Sequence, residues 1–183
     1  MVFSEQHLTQ ILSAIHFSAE KHRHQRRKDP AASPYINHPI QVAELLWRVA
    51  EVRDPDIIVA AILHDTIEDT QTTPDEILGL FGKTVLTMVL EVTDDPSLMK
   101  SERKQKQIAT AAALSPAAKV IRLADKICNV RDVTHSPPRG WDTLRRKEYY
   151  DWTEKVVTGL RGVNPALELF YDQVLAEGHA LIP

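Results

Sequence analysis

A chain of 183 residues, 43% hydrophobic and 26% charged, is long enough to bury one substantial core and is ordinary in composition for a globular domain. Its net charge of −3 supplies no global basic field, which argues against nucleic acid or an anionic membrane as a partner. The single cysteine, Cys128, excludes an internal disulfide, suits a reducing compartment and reads as a helix core position.

In chain order, Met1 to Gln6 lack the basic start and apolar run of a secretory signal. No segment approaches the roughly 18 apolar residues of a membrane span, so a soluble, cytoplasmic protein is expected. Helices are predicted over 4–25, 38–51, 55–67, 74–81, 83–92, 101–113, 116–133, 141–161 and 165–177. Four of them open on a capping side chain followed by proline: Asp54-Pro55, Thr73-Pro74, Ser115-Pro116 and Asn164-Pro165. Such a pair satisfies free N–H groups of the first turn and pre-sets its backbone. Glu76, three residues after Thr73, adds a capping box. Arg26 to Pro34 and Thr134 to Gly140 read as proline-broken loops, with room for some extended structure near 26–36. No repeat or Gly/Ser linker divides the chain. The expected fold is all-α, a mostly helical bundle with at most one short β-hairpin, in a single domain over residues 1–183.

The most informative run is Ala60-Ala61-Ile62-Leu63-His64-Asp65-Thr66-Ile67-Glu68-Asp69-Thr70. Its apolar start places the His-Asp pair at the end of a buried helix. If that helix or a turn of it continues, His64 aligns with Glu68 and Asp65 with Asp69. An imidazole and three carboxylates at the edge of a core are costly without a compensating cation. His38, at the start of its helix, and Asp125, amid Val120, Leu123, Ala124, Ile127 and Cys128, complete a plausible set of ligands with His64 and Asp65. Two imidazoles and two carboxylates suit Mn, Fe, Co, Ni or Zn better than Mg or Ca. Three helices would meet at one ion.

His…His-Asp…Asp spread over separate helices resembles the HD superfamily of metal-dependent phosphohydrolases. Longer stretches narrow the resemblance: Arg26-Arg27-Lys28-Asp29-Pro30, Pro34-Tyr35-Ile36-Asn37-His38-Pro39, Leu63 to Thr70, Glu91-Val92-Thr93-Asp94-Asp95, Leu123-Ala124-Asp125-Lys126 with Asn129 and Arg131, and Glu148-Tyr149-Tyr150-Asp151-Trp152. Together, over roughly residues 10–175, they resemble the RelA/SpoT hydrolase domain in its stand-alone form, the metazoan SpoT homolog type. The bifunctional bacterial enzymes carry a synthetase domain after the hydrolase, and none is expected here.

The resemblance implies one Mn²⁺ per chain, held by His38, His64, Asp65 and Asp125. It implies removal of the 3′-diphosphate of guanosine 3′,5′-bis(diphosphate), ppGpp or pppGpp, as pyrophosphate, leaving GDP or GTP. Glu68 and Asp69 would be the catalytic acidic pair, with the choice of base between them open. Arg27 and Lys28 would contact the nucleotide, Asn129 would reach ribose or phosphate from the face of Asp125, and Tyr149 would pack on the nucleotide or hydrogen-bond a phosphate. Lys100, Arg103, Lys104 and Lys106 read as a solvated helix face. Two other readings stand beside this one: a phosphatase for another nucleotide, such as the 2′-phosphate of NADPH, and a metal- or nucleotide-binding sensor without turnover. A sensor has no use for the acidic pair that this chain retains.

Overall fold

The computed structural model describes residues 4–182; the reading of the first three residues as free of a secretory signal lies outside them. The described chain forms nine α-helices: α1 (Glu5–Lys21), α2 (Asn37–Arg48), α3 (Pro55–Leu63), α4 (Thr66–Asp69), α5 (Pro74–Val92), α6 (Lys100–Thr110), α7 (Pro116–His135), α8 (Thr143–Leu160) and α9 (Pro165–Leu181), with a 3₁₀ turn at Ala111–Ala113. No helix among the described residues is long and apolar enough to cross a membrane.

All four cap-proline starts are realised. The side chains of Asp54, Ser115 and Asn164 accept hydrogen bonds from the backbone of Asp56, Ala118 and Leu167, and Thr73 forms its capping box with Glu76. The helices predicted over 74–81 and 83–92 meet at Gly82, whose φ of +85° breaks α5 into two halves. A side chain is disfavoured in that left-handed conformation, which glycine adopts freely. The helices predicted over 4–25 and 38–51 end early. After α1 the chain turns at His22, whose ring nitrogen Nδ1 lies 2.6 Å from Gln25 Oε1. After α2, Glu51 takes a φ of +52°. The extended structure near 26–36 reduces to one antiparallel bridge between Arg26 and Pro34.

Helix α7 is the axis of the bundle. Residues 120–128 are buried without interruption, and α7 packs against α2, α3, α5, α8 and α9. That buried stretch carries Arg122, Asp125 and Lys126 among its apolar residues, so charged groups are brought inside the fold with it. Helix α3 is nearly as enclosed, with Ile58 to Leu63 all buried. Residues emerging from the end of α3 therefore face the flank of α7.

The main departure from expectation lies at this junction. The helix predicted over 55–67 stops at Leu63, and α4 begins at Thr66. Thr66 Oγ1 donates 2.7 Å to the carbonyl of Leu63, competing with the helical ladder. Asp65 takes φ −96° and ψ −6° at the break. The turn from Asp65 to Asp69 persists, with the Asp69 amide donating 2.9 Å to the Asp65 carbonyl, but the two carboxylates serve different spaces: Asp65 lines an inner cavity, and Asp69 is exposed in an outer cleft.

Candidate active site

His38, His64, Asp65 and Asp125 come together from the start of α2, the α3–α4 break and the middle of α7. His38 Nε2 lies 3.1 Å from Asp125 Oδ1 and 3.8 Å from Asp65 Oδ2. His64 Nε2 lies 3.2 Å from Asp65 Oδ2 and 3.8 Å from Asp125 Oδ1. Both histidines are almost wholly buried. One ligand atom from each of His38, His64 and Asp65 can be chosen within 4.8 Å of the others.

Neighbouring groups fix these side chains. His64 Nδ1 donates to the carbonyl of Ala61 at 2.7 Å, which leaves Nε2 to face the carboxylates, buried and without a hydrogen bond. Tyr35 Oη donates to Asp65 Oδ2 at 2.7 Å, and Asn129 and Lys126 donate to Asp125. Outer partners of this kind orient metal ligands and tune their basicity. Burial disfavours a charged His64, but Asp65 and Asp125 outweigh it and raise the imidazole to about 10. Burial likewise opposes charge on Asp125, yet Lys126, His38 and His64 hold its carboxyl well below the usual range. The cluster thus calls for positive charge at His64 Nε2, which a proton or a metal ion can supply. Its donor set and that orphaned nitrogen fit a divalent cation.

The cluster forms one wall of an inner cavity of about 150 Å³, completed by Glu68, Asp94, Gln107, Arg122 and Lys126 among others. Glu68 Oε2 accepts from the Asp94 backbone at 2.9 Å, and Glu68 Oε1 pairs with Arg103 at 3.2 Å. Burial, opposed by that backbone hydrogen bond and reinforced by the charge of Asp94, raises Glu68 to about 7. Asp69 lies outside this cavity. Its Oδ2 accepts from Gln25, and it lines an outer cleft of about 350 Å³ with Arg27, Lys28, Lys100, Trp141 and Tyr149. Arg27, Tyr35 and Asn129 belong to both spaces. The outer volume lies in the range of small-molecule pockets, and the inner one below it.

The remaining sequence-derived candidates take distinct places. Arg27 pairs with Asp132, donates 3.1 Å to Asn129 Oδ1 and lies 5.5 Å from the Tyr35 ring centroid. Lys28 is exposed on the cleft rim. Tyr149 sits between Trp141 and Trp152, at ring separations of 5.6 and 5.3 Å. The α6 face expected to be solvated is so only in part: Lys100 and Lys106 are exposed, and Arg103 and Lys104 are half-buried. Arg103 reaches Glu68, Lys104 lies over the rings of Trp152 and Tyr149, and Lys100 lines the cleft. Sequence reading also gave no role to Tyr35, Asp94 or Arg122. Tyr35 and Asp94 had a signal in their place within the quoted motifs; the site role of Arg103 had none, because it depends on folding α6 back over α4.

A family model described as HD domain matches residues 14–154. The chain belongs to that family and, within it, to the RelA/SpoT-type hydrolases in their stand-alone, metazoan SpoT homolog form. It is 51% identical over 159 residues to the Homo sapiens guanosine-3′,5′-bis(diphosphate) 3′-pyrophosphohydrolase MESH1, covering 87% of this chain and 89% of that one. The Danio rerio protein of the same name is 48% identical over 167 residues, covering 91% and 93%. A solved structure of a metazoan ortholog of SpoT that hydrolyzes ppGpp superposes with a TM-score of 0.91 at 44% identity, covering 97% of each chain.

Proposed function

We propose that this chain, as one domain over residues 1–183, is a Mn²⁺-dependent guanosine-3′,5′-bis(diphosphate) 3′-pyrophosphohydrolase. The observation that carries the proposal is the meeting of His38, His64, Asp65 and Asp125, which line one cavity together with Glu68. Those four side chains would hold the metal, and their mixed nitrogen and oxygen donors suit Mn²⁺. A divalent ion there supplies Lewis acidity, polarising phosphoryl oxygen and lowering the pKa of water.

The chain's own residues do the rest. Glu68, raised to about 7, is matched to neutral pH as a general base. It takes a proton from a water whose oxygen bonds to the phosphorus attached at the ribose 3′-oxygen. The P–O3′ bond breaks, its electron pair stays on O3′, and the proton held by Glu68 passes to that oxygen. The products are the nucleoside 5′-diphosphate or 5′-triphosphate and pyrophosphate. Asp69, with Gln25, acts from the cleft side as the second carboxylate of the pair. Arg27, Lys28, Asn129 and Tyr149 hold the nucleotide in the outer cleft, where a planar guanidinium can stack on a base or fork a phosphate.

The test is metal analysis of the purified protein with product identification. The protein is stripped with EDTA, reloaded with Mn²⁺ or Mg²⁺, and given ppGpp and NADPH in parallel. GDP and pyrophosphate, restored by Mn²⁺ sooner than by Mg²⁺, are expected. Intact ppGpp beside dephosphorylated NADPH overturns the substrate assignment.

A further inference from the structure

Four carboxylates face the inner cavity: Asp65, Glu68, Asp94 and Asp125. A substrate that brings a diphosphate into this space needs cationic partners, and most of the nearby ones are already engaged. Of the cations lining the cavity, Lys126 Nζ is 3.0 Å from Asp125 Oδ2 and Arg27 is held by Asp132 and Asn129; Arg103, outside that lining, pairs with Glu68 through Nη1 and keeps a buried Nε without a partner. Arg122 is the exception. It is 9% exposed, lines the cavity, and its guanidinium has a single loose ion pair, 3.6 Å to Asp94 Oδ1, and no side-chain hydrogen bond among the described residues. The other oxygen of Asp94 takes the amide of Gln107. A guanidinium carries five N–H donors in a planar fork, and burying it so poorly paired is costly unless an anion completes it. Arg122 also precedes Asp125 by three residues on α7, so the two share a face of one rigid helix.

We propose that Arg122 is the seat for the terminal phosphate of the 3′-diphosphate, and the residue that makes this cavity prefer a diphosphate to a single phosphate. The inference rests on the 3′-pyrophosphohydrolase reading and adds to it a residue that selects the transferred group. With the phosphorus attached at O3′ at the His/Asp wall, the next phosphate extends along α7 towards Arg122. A bidentate fork matches two oxygens of that phosphate. A nucleotide with one phosphate at the reacting position never reaches it. Arg122 is therefore a positioning and specificity residue, one helical turn from the reacting centre.

The experiment measures binding of inorganic pyrophosphate and of orthophosphate to the Mn²⁺-loaded protein by calorimetry, for wild type, Arg122→Met and Arg122→Lys. Metal content and steady-state kinetics on ppGpp are recorded for each. Arg122→Met is expected to weaken pyrophosphate by about 10- to 150-fold, the scale of a lost charge-assisted contact, while orthophosphate binding and metal content stay near wild type. Arg122→Lys keeps the charge but loses the fork, so it should fall between the two; it also serves as the test if the methionine variant does not fold. Unchanged pyrophosphate affinity, or parallel losses for pyrophosphate and orthophosphate, overturns the proposal and leaves Arg122 as a brace for Asp94. Wild-type protein that binds pyrophosphate through Arg122 yet leaves ppGpp intact supports the seat and overturns the substrate assignment instead.

Discussion

Helix α7 takes part in two buried polar clusters that obey opposite rules. Near its C-terminus, Thr134 Oγ1 donates 2.8 Å to the carbonyl of Val130 and lies 2.8 Å from Tyr150 Oη; beside it, Thr153 Oγ1 donates to the Tyr150 carbonyl and meets Tyr171 Oη at 2.9 Å. Every one of those hydroxyls has a partner. Gly178 closes the region, since a Cβ there would lie 2.9 Å from Tyr150 Cζ and 3.0 Å from Thr134 Oγ1. Around Asp125 the same helix leaves His64 Nε2 and His38 Nδ1 buried without hydrogen bonds, and Arg122 with one long ion pair. Buried polar groups that hold a fold together are normally paired, because an unpaired one costs free energy with nothing returned. The groups left open at the other cluster are the ones that the proposed metal and phosphate would complete.

The sharpest way to break this division is Asp65→Ala. It should abolish metal binding and hydrolysis together, because the loss of an anionic ligand weakens both charge and geometry, while the helical circular dichroism spectrum persists. Normal metal content in that variant would remove Asp65 from the ligand set. Glu68→Gln comes next: metal retained, turnover lowered by roughly 10²-fold or more, the range a general base supplies. Unchanged turnover would transfer the role to Asp69. For Arg27→Ala, kcat/KM on the nucleotide should fall by about 10- to 150-fold, with little change on a small phosphate ester that cannot reach the cleft. Equal losses on both would make Arg27 a brace for Asp132 and Asn129.

The fourth prediction concerns pH. Metal-free His64 is raised from its ordinary 6.5 to about 10, so it is protonated across neutral pH, whereas a metal ligand must be neutral. Below about 10, apparent metal affinity should rise with pH by about tenfold per unit for each proton displaced, and calorimetry in buffers of different ionisation heat should detect the released proton. A flat profile would mean His64 does not ligate. The smallest effect belongs to the paired cluster. Tyr150→Phe removes one hydroxyl from Thr134 and should cost about 1 kcal/mol, read as a lower melting temperature with unaltered kinetics. A kinetic defect there would erase the division.

What could be read from the sequence was what local chemistry determines. Asp54, Thr73, Ser115 and Asn164 cap their helices whatever the chain folds against, and Gly82 breaks α5 because its own backbone permits it. The four side chains that meet at the site were legible because two imidazoles and two carboxylates sat beside apolar runs that had to be buried, and because the surrounding motifs resembled one family. The break at His64-Asp65 was not: Leu63 and Ile67 have the four-residue spacing of a continuing helix, and Thr66 is an ordinary helix residue until the geometry of its hydroxyl is seen. Arg103 read as solvent-facing since nothing near it in sequence is acidic at the right distance; its partner Glu68 arrives from another helix. Arg122, in an apolar stretch of α7, gave no sign that its guanidinium would end in a cavity.

The dispersal of the proposed ligands over α2, the α3–α4 break and α7 also sets an order of events. No hairpin or helix pair formed early in folding contains the complete set, because Asp125 lies far along the chain from His38 and His64, and closing such long loops is among the slower steps of folding. Tight metal capture must therefore follow docking of α7 against α2 and α3. In a refolding experiment, uptake of the ion would serve as a clock for the last stage of assembly.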